Sequence, residues 1–225
     1  MSIRKTPTQP VGAPRSDPRL APRAPGIILP GVTIKLPPFK WYKPLPPGVV
    51  VPPGTVSPQL IRVPERDAQR VLLAVIHLVA DIRAEQPPNV VWTRGNDELL
   101  VLLDKTRMSC APGLVTIGLT VQCEEVRGAQ RIDVGFAVGR PDRPAGLVMS
   151  AFDRVQGNSW IAGAWSESLT AFAWEALVAL AEQLAGGMGK DSRGRALVPG
   201  SIAAGDGALF IDPMARHDLR WVTGT

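Results

Sequence analysis

Three groups of residues in this chain have types that could do chemistry. They are a glycine-rich run with a lysine, two histidines among charged neighbours, and scattered serines and carboxylates. As a phosphate cradle, GGMGKDS at 186–192 would need a glycine at 184 and Ser or Thr after Lys190; it has Leu184 and Asp191. A phosphate loop also opens a helix, because the anion sits on unpaired N–H groups at the helix start, whereas this run follows a helical pattern. It reads as a flexible loop that ends a helix. His77 has Asp81 four residues on and Arg70 seven residues back, which suits a solvated or salt-linked imidazole. His217 stands between Arg216 and Asp218. Neither has a second histidine or a cysteine at ligand spacing, so no metal set is expected. Ser150 and Ser159 lack the G-x-S-x-G turn that exposes a nucleophile. Glu124 and Glu125 are neighbours at a strand end, face opposite ways and do not converge as an acid–base pair. Asp206 and Asp212 would join a site only through the fold. No catalytic residue and no cofactor are expected.

The remaining reactive or adhesive side chains point the same way. Cys110 and Cys123 are too few for a disulfide framework and read as small buried or half-buried thiols. Trp160, Trp165 and Trp174 cluster around a helical segment, where core packing competes with a role as aromatic anchors at a subunit contact.

The elements that would position these residues begin after an unusual segment. Of the 23 prolines, 16 lie in residues 1–64. The same residues carry nine Lys or Arg and one acid, Asp17, a net +8. The remaining chain has sixteen basic and nineteen acidic residues, a net −3, so the basic pI near 9.7 belongs to the N-terminal segment. No run of 18 apolar residues is present, so no membrane span is expected, and the N-terminus lacks a signal peptide's apolar core.

From Pro64 the pattern changes. PERDAQRVLLAVIHLVADIRAEQ places Ala68, Val71, Leu72, Val75, Leu78, Val79 and Ile82 at helical spacing, with Pro87-Pro88 as the stop. Strands are expected at 98–104, 113–124, 130–140 and 146–152, joined by turns at Arg127-Gly128-Ala129 and 140–144. Such short links favour an antiparallel meander, since parallel neighbours need crossovers of about a dozen residues. Residues 153–165 read as loop or irregular strand. A second helix is expected from Ser166 to Leu184, burying Leu169, Phe172, Ala173, Ala176, Leu177, Leu180 and Leu184, with Gly186-Gly187 as its stop. The expected fold is α+β. A two-layer body at 64–185, of a four-stranded antiparallel meander and two helices, follows an extended basic Pro-rich arm at 1–63. A Gly-rich tail at 186–225, with short apolar pieces at 196–198 and 208–211, wraps that body.

The arm carries the functional expectation. Residues 1–26 are small, polar and basic, and cannot bury enough surface to offset their ordering entropy. IILPGVTIKL at 27–36 suits an added edge strand, and PPFKWYKPLPPGVVVPPG at 37–54 has polyproline-II spacing. Apolar side chains persist along it: Ile28, Val32, Ile34, Phe39, Trp41, Tyr42 and Val50 are the expected partner-binding residues. From Ile27 to Val56 such a segment spans on the order of 90 Å, which suits a strap across several partners better than one short groove. Arg15, Arg19, Arg23, Lys35, Lys40 and Lys43 are the candidate phosphate contacts. The chain is therefore expected to be a non-enzymatic structural subunit of a large assembly, a virion or phage-like particle, in a connector, tail, baseplate or capsid-associated place. Its partners would be copies of itself and other structural subunits, assembled in the host cytoplasm. The particle attribution is an analogy of architecture with the ring and tail proteins of tailed phages. The alternatives are a nucleic-acid-binding subunit of a ribonucleoprotein, its arm threaded through RNA, and an enzyme with a site between sheet and tail.

Overall fold

The computed structural model describes residues 60–82, 87–143, 145–146 and 155–215. In chain order these form β1 (Ile61–Pro64), α1 (Glu65–Val79), β2 (Asn89–Arg94), β3 (Asp97–Ala111), β4 (Leu114–Cys123), β5 (Val126–Ala137), β6 (Ala145–Gly146), α2 (Ser159–Gly187), β7 (Leu197–Gly205) and β8 (Ala208–Ala215). The mixture is α+β, with two helices and a four-stranded antiparallel meander, as the sequence pattern requires.

Helix α1 starts at the expected place. Pro64 caps it, and Glu65 and Asp67 put negative charge into its first turn, where the helix dipole favours it. It stops before Pro87-Pro88. Asp81 takes a left-handed φ of 54°, and the N–H groups of Asp81 and Ile82 fold back onto the carbonyls of Leu78 and His77 at 3.1 and 2.9 Å. These bonds satisfy carbonyls of the last turn and end the helix without a proline. Its buried face is Ala68, Leu72, Val75 and Ile76; Leu78, expected on that face, is 74% exposed.

Helix α2 starts seven residues before the expected Ser166. Asn158 is the cap: its Oδ1 accepts the N–H groups of Trp160 and Ile161 at 3.0 and 3.3 Å. Ile161, Trp165 and Ser168 carry the buried face upstream of Leu169 and Phe172, so 159–165 is helix and not loop. From Ser168 to Ala181 no residue is exposed. A helix enclosed on all sides needs cover on more than one flank, and the fold supplies it. Besides packing on α1, α2 touches β4 and β5 of one sheet and β7 and β8 of a second.

The first sheet has the order β2-β3-β4-β5. Three expected strands became β3, β4 and β5. The fourth member is β2, at 89–94, which the pattern left unassigned. Of the strand expected at 146–152, only Gly146 is described, in the two-residue β6 paired with β7; the rest lies outside the described residues. The β4–β5 turn is Glu124-Glu125, and residues 127–129 are extra length where the register slips between Val121 and Cys123. The second sheet, β1-β8-β7-β6, draws on both ends of the chain. Residues 61–63, placed by sequence in the arm, pair with β8, and the tail's two apolar pieces lie in the β7–β8 hairpin.

The sheets meet at the Pro112-Gly113 turn. Gly113, at φ +77°, donates its N–H to Ala204 at 2.9 Å, and Gly207 donates to the Cys110 carbonyl at 3.1 Å. Between sheets and helices lies the core, where the Trp92 and Phe172 rings meet edge-on at 5.3 Å and Phe136 and Trp174 meet at 5.4 Å.

Candidate functional site

The sequence-predicted contact residues all lie outside the described residues. These are Ile28, Val32, Ile34, Phe39, Trp41, Tyr42 and Val50, and the basic set Arg15, Arg19, Arg23, Lys35, Lys40 and Lys43. His217 and Ser150 lie outside them too, while Ser159 is the first residue of α2. Trp165 and Trp174 are core residues and Trp160 is half-buried. Asp206 sits in the β7–β8 turn and Asp212 on β8, paired with Ser201. Among the described residues no three His, Cys, Asp or Glu gather as metal ligands, and no helix is long and apolar enough to cross a membrane.

The glycine-rich run is tightly organised. Asp191 Oδ1 accepts the N–H groups of Arg193 and Arg195 at 2.9 and 2.8 Å, and its Oδ2 accepts from the Arg195 guanidinium at 2.7 Å. The backbone bond from Arg195, followed by the guanidinium and the Arg193 N–H, holds this carboxyl below its ordinary value. The aspartate that breaks the phosphate-loop pattern is thus the residue that shapes the loop.

The strand edges of the body are where another chain could add, and most of them are closed. Past Leu102, β3 has no β2 beside it, and α1 takes that place. Gln69 donates to the Thr106 carbonyl at 2.9 Å and accepts the Met108 N–H at 2.6 Å. Four residues earlier, Glu65 accepts the Cys110 N–H at 2.8 Å. The match follows from geometry: four helical residues rise about 6 Å, close to the roughly 6.6 Å between alternate strand residues. The helix side chains act as a neighbouring strand would. The Cys110 thiol beneath is pushed up to about 12, first by burial and then by the Glu65 carboxylate. At the other side of the sheet, β5 exchanges backbone bonds with Gln156 at Asp133, at 2.8 and 2.9 Å, and shows Arg127 and Arg131 to solvent. Charged edges of this kind discourage strand addition.

The sheet face away from the helices divides in two. One part is polar: Arg131 and Asp133 form an ion pair at 2.7 Å that lies across Gly118, beside Arg107. By register this face carries Arg107 and Arg131 against Glu98 and Asp133, with no aromatic ring. It has neither the net positive charge nor the stacking platform of a nucleic-acid-binding sheet. The other part is apolar: Val91 and Leu100 are register partners there, beside Leu102. They are 6% and 3% exposed yet stand outside the core cluster that holds Trp92, Leu99 and Val101. Comparison with protein-family models, with curated proteins and with solved structures returns no match.

Proposed function

We propose that this chain is a structural subunit of a large assembly and that its N-terminal arm straps neighbouring subunits. The observation that carries the reading is the division of the molecule. The body encloses its own core, while the segment before it keeps Ile28, Val32, Ile34, Phe39, Trp41, Tyr42 and Val50 on a proline-rich backbone that cannot bury them by itself. The arm enters the body as β1, a strand at the rim of the second sheet, so a pull on the arm is borne by hydrogen bonds to β8. The assembly envisaged is a virion or phage-like particle, with this subunit in a connector, tail, baseplate or capsid-associated place and built in the host cytoplasm. That part of the reading rests on architectural analogy. No catalytic role is assigned.

One observation favours a second reading, the net +8 of residues 1–64, which would suit an arm that follows a phosphate backbone. Light scattering separates the two. The full chain is compared with a chain shortened to begin at Leu60, each with and without nuclease. The strap predicts a nuclease-resistant oligomer that the shortened chain does not form. A monomer whose complexes vanish with nuclease overturns it in favour of nucleic-acid binding.

A further inference from the structure

We propose that the outward face of α1 pairs, antiparallel, with the same face of a second copy of this chain, as a contact between neighbouring subunits. The inference rests on the assembly reading and names one surface through which copies meet. Among the described residues two large apolar side chains are exposed, and one is Leu78, at 74%. A lone exposed leucine carries no message. This one ends a seam. Val71, Ala74 and Leu78 are spaced i, i+3 and i+7, so they lie in one line along α1. Ala74 is exposed and Val71 half-buried, while Leu72, Val75 and Ile76 take the opposite side into the core. Charge flanks the line: Asp67 and Arg70 form an exposed i,i+3 pair at 3.7 Å, and Asp81 is exposed just past the helix end.

A second copy is the occupant because the face complements itself. Leu78 is large, and Ala74, one turn earlier, is small. Laid antiparallel, Leu78 of each copy fills the space above Ala74 of the other, a large side chain over a small one. The same register sets Val71 of each copy at the level of Asp81 of the other, with Arg70 next to it. Two apolar contacts and two opposite-charge pairs thus form about one two-fold axis, as an isologous interface requires. The pair with Asp67 is solvated and weak, and a guanidinium offers several donors, so Arg70 can meet a second carboxylate. A parallel pair in register would instead set Arg70 beside Arg70, like charge on like. The fifteen residues of α1 span about 22 Å, too short a seam for the area that a stable dimer usually buries. The contact therefore acts beside others, in an assembly whose subunits are already held close.

The test uses full-length chains carrying Cys123→Ser. One preparation also carries Ala74→Cys and its partner Leu78→Cys, so that one of the two Leu78–Ala74 contacts stays intact. Mixed under a mild oxidant, they are expected to form an interchain disulfide on the order of a hundredfold faster than chains carrying Ala129→Cys at an exposed position of β5, the effect of a raised effective concentration. Arg70→Asp in both preparations should remove most of that gain. Arg70→Asp in one and Asp81→Lys in the other should restore it, because both cross-copy pairs are then opposite in sign again. A rate equal to that of Ala129→Cys overturns the proposal. So does a gain that ignores these charges, or a Leu78→Cys chain that links to itself faster than the mixed pair. If light scattering still shows an arm-dependent oligomer when cross-linking fails, only this contact falls; a full chain that is monomeric overturns the assembly reading as well.

Discussion

Single residues already separate structural from reactive chemistry here. Cys110 is buried, its thiol pushed to about 12, while Cys123 is half-buried and raised first by burial and further by the Glu125 carboxylate. Thiol titration of the native protein at neutral pH is expected to modify Cys123 first and Cys110 only on unfolding. The sign of the pH effect follows from the raised value. Cys110 favours the folded state fully below the ordinary thiol value of 9.0, and that contribution is lost as pH rises from there to about 12. Alkaline denaturation should therefore be shallower in Cys110→Ala. A second contrast lies four residues earlier on the same strand, in the fully buried Thr106. Among the described residues its hydroxyl has no hydrogen-bond partner, whereas its carbonyl is held by Gln69. Thr106→Val should leave stability within about 1 kcal/mol of the parent or raise it, because only an unsatisfied group is removed. Gln69→Ala strips partners from both the Thr106 carbonyl and the Met108 N–H and should cost about 2–4 kcal/mol in urea unfolding.

At the level of elements, legibility in the sequence followed the length and regularity of the pattern. β3, β4, β5 and both helices announced themselves because alternation or helical spacing ran long enough to exclude the other period. β2 did not: its six residues contain the run Val90-Val91-Trp92, apolar on both sides, which erases the alternation. The second sheet was hidden for another reason. β1 and β8 are adjacent in space but lie at opposite ends of the described chain, and no local signal records such pairing. Helix α2 was misplaced at its start because Ser166 and Asn158 are both good caps by type, and only the upstream face of Ile161 and Trp165 decides between them. Asn158→Ala should lower stability by about 1 kcal/mol, the usual cost of a lost cap, while Ser166→Ala, inside the helix, should be near neutral. Thermal unfolding of the two variants side by side checks the assignment.

For the whole molecule, the proposed strap turns on how the arm's two kinds of side chain would share the work of binding. Charge alone would favour polyanions, since residues 1–64 carry a net +8 against −3 for the rest. The apolar residues alone would favour protein. The arm was legible in composition, whereas the strand edges that α1, Gln156 and the arginines of β5 close were not, because those closures depend on contacts distant in sequence. Salt distinguishes the two contributions. At about 1 M the screening length falls to roughly 3 Å, so exposed charge pairs fade, while on the strap reading burial of apolar arm residues such as Ile34 against a protein partner would be undiminished. A phosphate-following arm would instead lose affinity with a slope close to its number of phosphate contacts. Sedimentation of the full chain from about 0.05 to 1 M salt should therefore show an oligomer that persists, with at most a modest shift toward smaller species. Replacing Ile34 by Asp should dissociate it at every salt concentration. Replacing Lys35, Lys40 and Lys43 together by Gln should change the assembly rate at low salt, through lost steering, and leave the species at high salt unchanged. The reverse pattern, with Ile34→Asp silent and the lysine variants disruptive, would make the arm a ligand for polyanions.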